Sequence, residues 1–158
     1  MAETMKDLKA LIEAEKQKLE DPSKETVPVA VGGVEVIVEV TKLQPAVWAA
    51  LTALNPVRPN VPGDARVGFD QWTLPRGYPA ERIKVNGEAV TPETWVELVD
   101  VLEFAHRMNI TTLMWGLNVF EAAKELATLG KARAGQRSSS PANRESRRAA
   151  SKGKKRRK

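Results

Sequence analysis

The chain has 158 residues, with 25 Lys and Arg, 20 Asp and Glu, one His and no Cys. That length suits one domain with appendages. The absent cysteine excludes a disulfide framework, a Cys-ligated metal and a thiol nucleophile, and the single His106 argues against a His metal cluster or a Ser-His-Asp triad. We therefore expect no enzyme, no metal and no cofactor. No apolar run approaches the roughly 20 residues that span a bilayer, and residues 1–21 lack the apolar core of a signal peptide, so a cytoplasmic protein without membrane contact is expected.

Charge is divided unevenly along the chain. Residues 131–158 contain 12 basic residues and one acidic residue, a net charge of +11, whereas residues 1–130 carry −6. The basic segment has no aromatic, Val, Leu, Ile or Met side chain that could offset the entropy of ordering it. The sequence therefore predicts an N-terminal amphipathic helix within residues 1–22, a small α+β body over 23–130 and a disordered basic tail over 131–158.

The first element is an amphipathic helix over residues 3–20, which the Asp21-Pro22 pair ends. Its apolar stripe is narrow and needs a partner surface. Docking on its own domain is the expected arrangement, and self-association or partner binding are the alternatives. The stripe consists of Met5, Leu8, Leu11, Ile12 and Leu19.

Residues 27–40 predict a β-hairpin, because two valine-rich runs flank Gly32-Gly33, a loop that accepts positive φ at both positions. Pro28 cannot donate a backbone hydrogen bond, which indicates an edge strand. The valine face must cover a helix or join a larger sheet, because a lone hairpin is marginal. The predicted register pairs Val27 with Val38, Val29 with Val36 and Val31 with Val34, with Val40 on the same side and Glu35 and Glu39 on the other.

The next segments are a short helix and a proline-rich stretch. Proline at position 45 suits the first turn of a helix over residues 45–54, on which Trp48, Leu51 and Leu54 share a face. Residues 55–80 hold five of the ten prolines and show no period. The aromatic residues of this stretch, Phe69, Trp72 and Tyr78, predict an extended segment pinned to the body rather than a free linker.

A second, weaker hairpin is predicted over residues 82–90 around Asn86-Gly87. Thr91-Pro92 then begins a helix that runs to about Arg107. Asn109 is expected to cap a further helix that ends at Gly130, and the two helices should form an antiparallel pair. The predicted fold class is α+β and mainly helical, with about four helices.

Aromatic residues are the best candidates for partner contact. Four of the eight aromatic residues are tryptophan, which is enriched at interfaces but also fills small cores. We expect Trp48, Trp95 and Trp115 to lie mainly in the core, and Trp72, in the proline-rich stretch, to be the better interface residue. The nominated partner-binding residues are Trp72, Phe69, Trp115 and Phe120.

The end of the basic tail could bind nucleic acid phosphates through electrostatic, salt-sensitive contacts. No aromatic residues are interleaved to stack bases, and no groove-reading motif is present, so such binding would be nonspecific. A solubilising arm is the alternative. The nominated residues are Lys152, Lys154, Lys155, Arg156, Arg157 and Lys158.

Several short motifs follow one another along the chain. Residues 43–48 match L-x-P-x-x-W, residues 55–59 contain P-x-R-P, and residues 64–70 match D-x-x-x-G-[FY]-[ND]. A T-x-E-x-W helix start follows at residues 91–95, with a helix whose end lies near Asn118 and a tail rich in Ser and Arg. These motifs resemble those of the tail assembly chaperones of long-tailed, siphovirus-like phages of actinobacteria, and the resemblance covers roughly residues 41–150.

The resemblance implies a non-enzymatic factor that binds the long, helical tape-measure protein in the host cytoplasm and is absent from the mature virion. It also implies, for many members, a longer form made by a programmed ribosomal frameshift, with which Gly153-Lys154-Lys155 is compatible. The alternatives are a nucleic-acid-associated protein that uses its tail as an arm, and a structural virion component.

Overall fold

The computed structural model describes the backbone of residues 4–138 and the side chains of residues 4–131. These residues form an α+β, mainly helical fold, which confirms the predicted fold class, although the helices outnumber the four expected. The chain divides into two units between Phe120 and Glu121. The elements are α1 (Met5–Glu20), β1 (Lys24–Val31), β2 (Val34–Thr41), α2 (Pro45–Leu54), α3 (Pro62–Val67), α4 (Leu74–Gly77), a 3₁₀ turn (Ala80–Arg82), β3 (Ile83–Val85), β4 (Glu88–Ala89), α5 (Pro92–Val101), α6 (Phe104–Trp115), a π-helical turn (Gly116–Phe120) and α7 (Glu121–Ser138).

The strands form one antiparallel sheet in the order β1-β2-β3-β4. The predicted register of the first hairpin is confirmed, with Val27 opposite Val38 and Val31 opposite Val34. Gly32 and Gly33 take the expected positive φ values of 58° and 79°. The Asn86-Gly87 hairpin is also present, and it joins the sheet through β3, which pairs with β2.

The core lies between the valine face of the sheet and the helices that follow it. Helix α6 packs on β1 and β2, and the short helix α4 contacts both α5 and α6. The largest fully buried side chains are Trp95, Phe69, Leu74, Ile83, Ile110 and Met114. Trp95 donates its indole N–H to the Pro75 carbonyl at 2.9 Å, so the largest core residue is also hydrogen-bonded.

Helix α1 forms where predicted but does not dock on its own domain. Thr4 and Asp7 form a capping box at its start. No residue of α1 is buried, and its apolar side chains are exposed. The expectation of docking was therefore wrong for the described structure. Helix α1 does not dock because α6 already covers the valine face, so the core is complete without α1.

The proline-rich stretch is helical in part, not extended as predicted. Pro62 and Pro75 each stand in the first turn of a short helix, where a missing N–H costs nothing. Phe69 and Tyr78 pin the stretch to the core, with 1% and 2% of their surface exposed. Helices of four and six residues are too short to give a recognisable period.

The later helix boundaries also differ from the predicted ones. Extended backbone at Leu102 ends α5 six residues early and buries Leu102 itself. Asn109 consequently lies inside α6 and caps nothing. Helix α7 continues through Gly130 to Ser138, because one glycine costs only about 1 kcal/mol among good helix formers. Residues 139–158, with the six nominated nucleic-acid contacts of the tail, lie outside the described residues.

Candidate partner-binding surface

An exposed aromatic pair stands at the start of α6. The rings of Trp72 and Phe104 are stacked, with centroids 6.0 Å apart and planes 17° apart. Trp72 is 36% exposed and Phe104 is 68% exposed. These are large apolar surfaces that the described residues leave uncovered, and the role of Trp72 as an interface residue stays a prediction.

Arg107 holds Trp72 of this pair in place. Its guanidinium carbon lies 3.8 Å from the centroid of the Trp72 ring, and the same group donates hydrogen bonds to the Trp72 and Val99 carbonyls. Burial lowers the pKa of Arg107 from its ordinary value, and the nearby Asp100 carboxylate, 4.0 Å away, opposes that effect. Both the ring and the backbone of Trp72 are therefore fixed before any partner arrives, which reduces the entropy lost on binding.

A second aromatic pair lies at the other end of α6. The rings of Trp115 and Phe120 have centroids 5.4 Å apart, and Phe120 is 49% exposed. The π-helical turn between them is anchored by Asn118, which accepts from the Leu43 amide at 2.9 Å and donates to the Met114 carbonyl at 2.8 Å. Trp115, expected mainly in the core, is half-buried and contributes to both the core and the surface.

A groove of about 310 Å³ opens beside Trp115. It lies between α3 with its following loop and the C-terminal half of α6. Phe69 forms its floor, with Trp48 packed edge-on against that ring at 5.5 Å. Because Phe69 is only 1% exposed, it supports the groove and does not offer the broad partner contact nominated from the sequence. The lining residues are Gly63, Arg66, Val67, Phe69, Gln71, Thr111, Thr112 and Trp115.

The two pairs and the groove lie along one side of α6. Residues 104, 108, 112 and 115 follow helical spacing, so their side chains share a face. Phe104 and Trp115 are eleven positions apart, which is about 16 Å at the α-helical rise. We call this surface the α6 strip; it consists of Trp72, Phe104, Met108, Thr112, Trp115 and Phe120.

An ion pair between a buried carboxylate and a partly exposed arginine fixes the loop that forms the outer wall of the groove. Asp64, fully buried, accepts hydrogen bonds from the Arg58 side chain at 2.7 and 3.0 Å, and from the backbone amides of Arg58 and Gln71. The hydrogen bonds from Arg58 lower the pKa of Asp64 to about 2, against the opposing effect of burial. Asp70 also contacts Arg58, at 3.1 Å, and accepts from the Trp72 amide. The network thus joins the groove to the first aromatic pair.

The sequence pattern nominates three members of the strip, Trp72, Trp115 and Phe120. It nominates neither Phe104, which also belongs to the strip, nor Arg107, which supports Trp72. Both of the latter fall within the helix predicted over 91–107, where Phe104 has no distinguishing position. An arginine among the apolar residues of that helix was the available signal for Arg107, since a buried charge normally has a specific partner.

The described residues contain no group of three His, Cys, Asp or Glu side chains placed to hold a metal ion. In the same part of the chain, no helix combines the length and hydropathy needed to cross a membrane. No family model, curated protein or solved structure matches this chain.

Proposed function

We propose that this protein is a phage tail assembly chaperone, which binds the tape-measure protein in the cytoplasm of the bacterial host and keeps it soluble during tail assembly. The observation that supports the proposal best is the α6 strip: two partly exposed aromatic pairs, separated by about 16 Å, with a groove beside one of them. The sequence resemblance supplies the class of client.

The physical reason is that a long helical chain exposes apolar stripes until it is packed into its assembly. A helix binds a partner surface through side chains at positions i, i+3 or i+4, i+7 and i+11, which cover about three turns. The aromatic ends of the strip match that length. Large, preorganised aromatic side chains commonly supply most of the binding energy at such surfaces.

The test is capture of the client from phage-producing cells. Tagged full-length protein is recovered after nuclease treatment and high-salt washing, and the bound proteins are identified by mass spectrometry. We expect one very long, helix-rich phage protein. We also expect Phe104→Ala combined with Trp115→Ala to reduce its recovery at least fivefold, since each aromatic truncation at an interface costs about 1 kcal/mol or more.

Leu54→Ala provides the matched control, because Leu54 is an exposed apolar residue on α2 that belongs to neither pair. Its recovery of the client should equal that of the parent protein. Failure to recover any long phage protein would refute the proposal, as would equal recovery by the control and the strip variant.

The basic composition of residues 131–158 favours a second candidate function, nonspecific binding of nucleic acid through the tail. In that case partners would disappear on nuclease treatment, and binding would fall steeply between low and physiological salt.

Presence of the protein in purified particles would instead indicate a structural virion component. A coding sequence with a slippery heptamer near Gly153 would support the longer frameshifted form.

A further inference from the structure

Two apolar surfaces of this chain remain uncovered, and the first is the stripe of α1. No residue of this 16-residue helix is buried. The side chains of the stripe are 38% to 69% exposed. A helix of about this length is marginal in water without tertiary packing, so a stable α1 needs a surface to lie on. The α1 stripe consists of Met5, Leu8, Leu11, Ile12 and Leu19.

The second surface is the α6 strip, and its length matches that of the α1 stripe. Leu8 and Leu19 of the stripe are eleven positions apart. Phe104 and Trp115 of the strip are also eleven positions apart. Both separations are about 16 Å at the α-helical rise. One α1 helix is therefore long enough to cover the strip from one aromatic pair to the other.

The connection that follows α1 lies beside one end of the strip. The Ser23 carbonyl accepts from the Lys42 amide at 2.9 Å. The next amide, that of Leu43, donates to Asn118 in the π-helical turn at 2.9 Å. Helix α1 does not lie on the strip of its own chain, however, because none of its residues is buried. Exchange of an identical element between two copies is a low-cost route to a dimer, and a second copy offers the same strip.

The exposed area distinguishes the ways in which two copies could pair. About half of each stripe side chain is exposed, so at about 200 Å² per large apolar side chain the α1 stripe offers roughly 500 Å². The exposed rings of Trp72, Phe104 and Phe120 offer roughly 300 Å² on the same basis. Two α1 stripes packed on each other would bury roughly 1,000 Å², which is below the range of about 1,200–2,000 Å² for specific, stable interfaces. Two reciprocal contacts between a stripe and a strip would bury roughly 1,600 Å², which lies within that range.

We infer that α1 of one copy lies on the α6 strip of a second copy, and that two copies exchange their α1 helices reciprocally. Each copy then supplies one stripe and one strip, which is the self-complementary arrangement of a twofold dimer. The exchange covers both apolar surfaces at once. The inference goes beyond the proposed function, because a client helix must displace α1 of the other copy before it reaches the strip.

Cross-linking of purified full-length protein tests the exchange, because the chain has no cysteine of its own. Ile12→Cys places a thiol midway along the α1 stripe, and Thr112→Cys places one midway between Phe104 and Phe120, so the two positions meet whichever way the helix lies. Equal amounts of the two variants are mixed and treated with a bis-maleimide that spans about 10 Å, close to the distance between packed helix axes. We expect a covalent dimer from the mixture and only a background level from either variant alone. A third chain carries both cysteines and should also form covalent dimers.

Charge placed on the α1 stripe should break the dimer. Leu8→Glu with Ile12→Glu should weaken self-association, measured by sedimentation velocity, at least about tenfold, because an unpaired charge is costly to bury. Ala10→Glu with Ala14→Glu is the matched control, since it adds the same charges at the same spacing on the opposite face of α1 and should leave self-association unchanged. Neither pair of changes touches the core, so the unfolding midpoint reported by tryptophan fluorescence should stay at that of the parent protein.

Four results would overturn the inference. A covalent dimer from Ile12→Cys alone would show that α1 pairs with α1. Cross-linking of the double-cysteine chain only within itself would show that α1 closes on its own strip. A parent protein that is monomeric at its highest soluble concentration would exclude the dimer, and equal self-association of the stripe variant and its control would exclude the stripe.

The outcome is separable from that of the proposed function, because self-association is measured without a client. A parent protein that forms the exchanged dimer but captures no long phage protein would reject the proposed function and leave this inference standing. A monomeric parent protein that captures the client would reject this inference alone.

Discussion

Replacing Asp64 by Asn should destabilise the protein in a pH-dependent way. A pKa lowered from 3.8 to about 2 corresponds to about 2 kcal/mol of unfolding free energy at neutral pH. Breaking a fully buried ion pair costs about 3–5 kcal/mol. The value of about 2 kcal/mol applies here, because the Arg58 side chain is 41% exposed and can be rehydrated when its partner is lost.

The sign of the pH dependence follows from the direction of the shift. The stabilisation is complete above about pH 5, where the carboxyl of the unfolded chain is ionised, and is lost as the pH falls towards 2. Asp64→Asn should therefore lower the free energy of unfolding by about 2 kcal/mol at pH 7 and by much less near pH 2.

Urea unfolding, followed by tryptophan fluorescence and far-UV circular dichroism between pH 7 and pH 2.5, measures both quantities. Asp21→Asn is the control, since Asp21 is exposed and its replacement should change stability by less than about 0.5 kcal/mol. A difference between Asp64→Asn and the parent that stays constant over this pH range would refute the assignment of the stabilisation to the ionised carboxylate.

Three further outcomes are expected. Tyr78 is the only tyrosine of the sequence, and burial raises its pKa to about 12. Its absorbance near 295 nm should therefore titrate near pH 12 in the folded protein and near pH 10 in urea. The free energy of unfolding should fall between those two pH values. Trp95→Phe leaves the Pro75 carbonyl without its donor and should cost about 1–3 kcal/mol in urea unfolding. Gly130→Ala should stabilise α7 locally by about 1 kcal/mol and thereby increase the far-UV helical ellipticity. It should not move the unfolding midpoint reported by tryptophan fluorescence.

Each of these has a distinct contrary result. A Tyr78 midpoint near 10 in protein that is still folded would show that the phenol is hydrated. A cost below 0.5 kcal/mol for Trp95→Phe would mean that the Pro75 carbonyl finds another donor. A fluorescence midpoint that moves with Gly130→Ala would show that α7 contributes to the stability of the body.

The first hairpin is predictable in detail because its information is local. Two glycines fix the turn, and strict alternation of valines then sets every pair from Val27–Val38 to Val31–Val34. The helix start at Thr91 is equally local, since the hydroxyl accepts from the Thr94 amide within the same turn.

Much of the candidate surface depends on contacts between distant residues and could not be predicted. Arg107 bonds to the carbonyl of a residue 35 positions earlier, and Asn118 reaches Leu43, 75 positions earlier. The break at Leu102 is likewise set by tertiary burial, not by a helix-stop residue. Phe104 therefore emerges as an exposed stacking partner of Trp72 only once the chain is folded.

The backbone of the sheet also limits how a strand of another chain could pair with this protein. Ile37 donates its N–H to the side-chain oxygen of Asn86 and accepts from the Asn86 amide, both on the β3 side. Its partner Pro28 therefore has its nitrogen towards the open edge of β1. That edge has a proline where an incoming strand would need a donor, and the opposite edge strand is only two residues long. Both edges of the described sheet therefore disfavour addition of a further strand, which protects the protein against edge-to-edge aggregation.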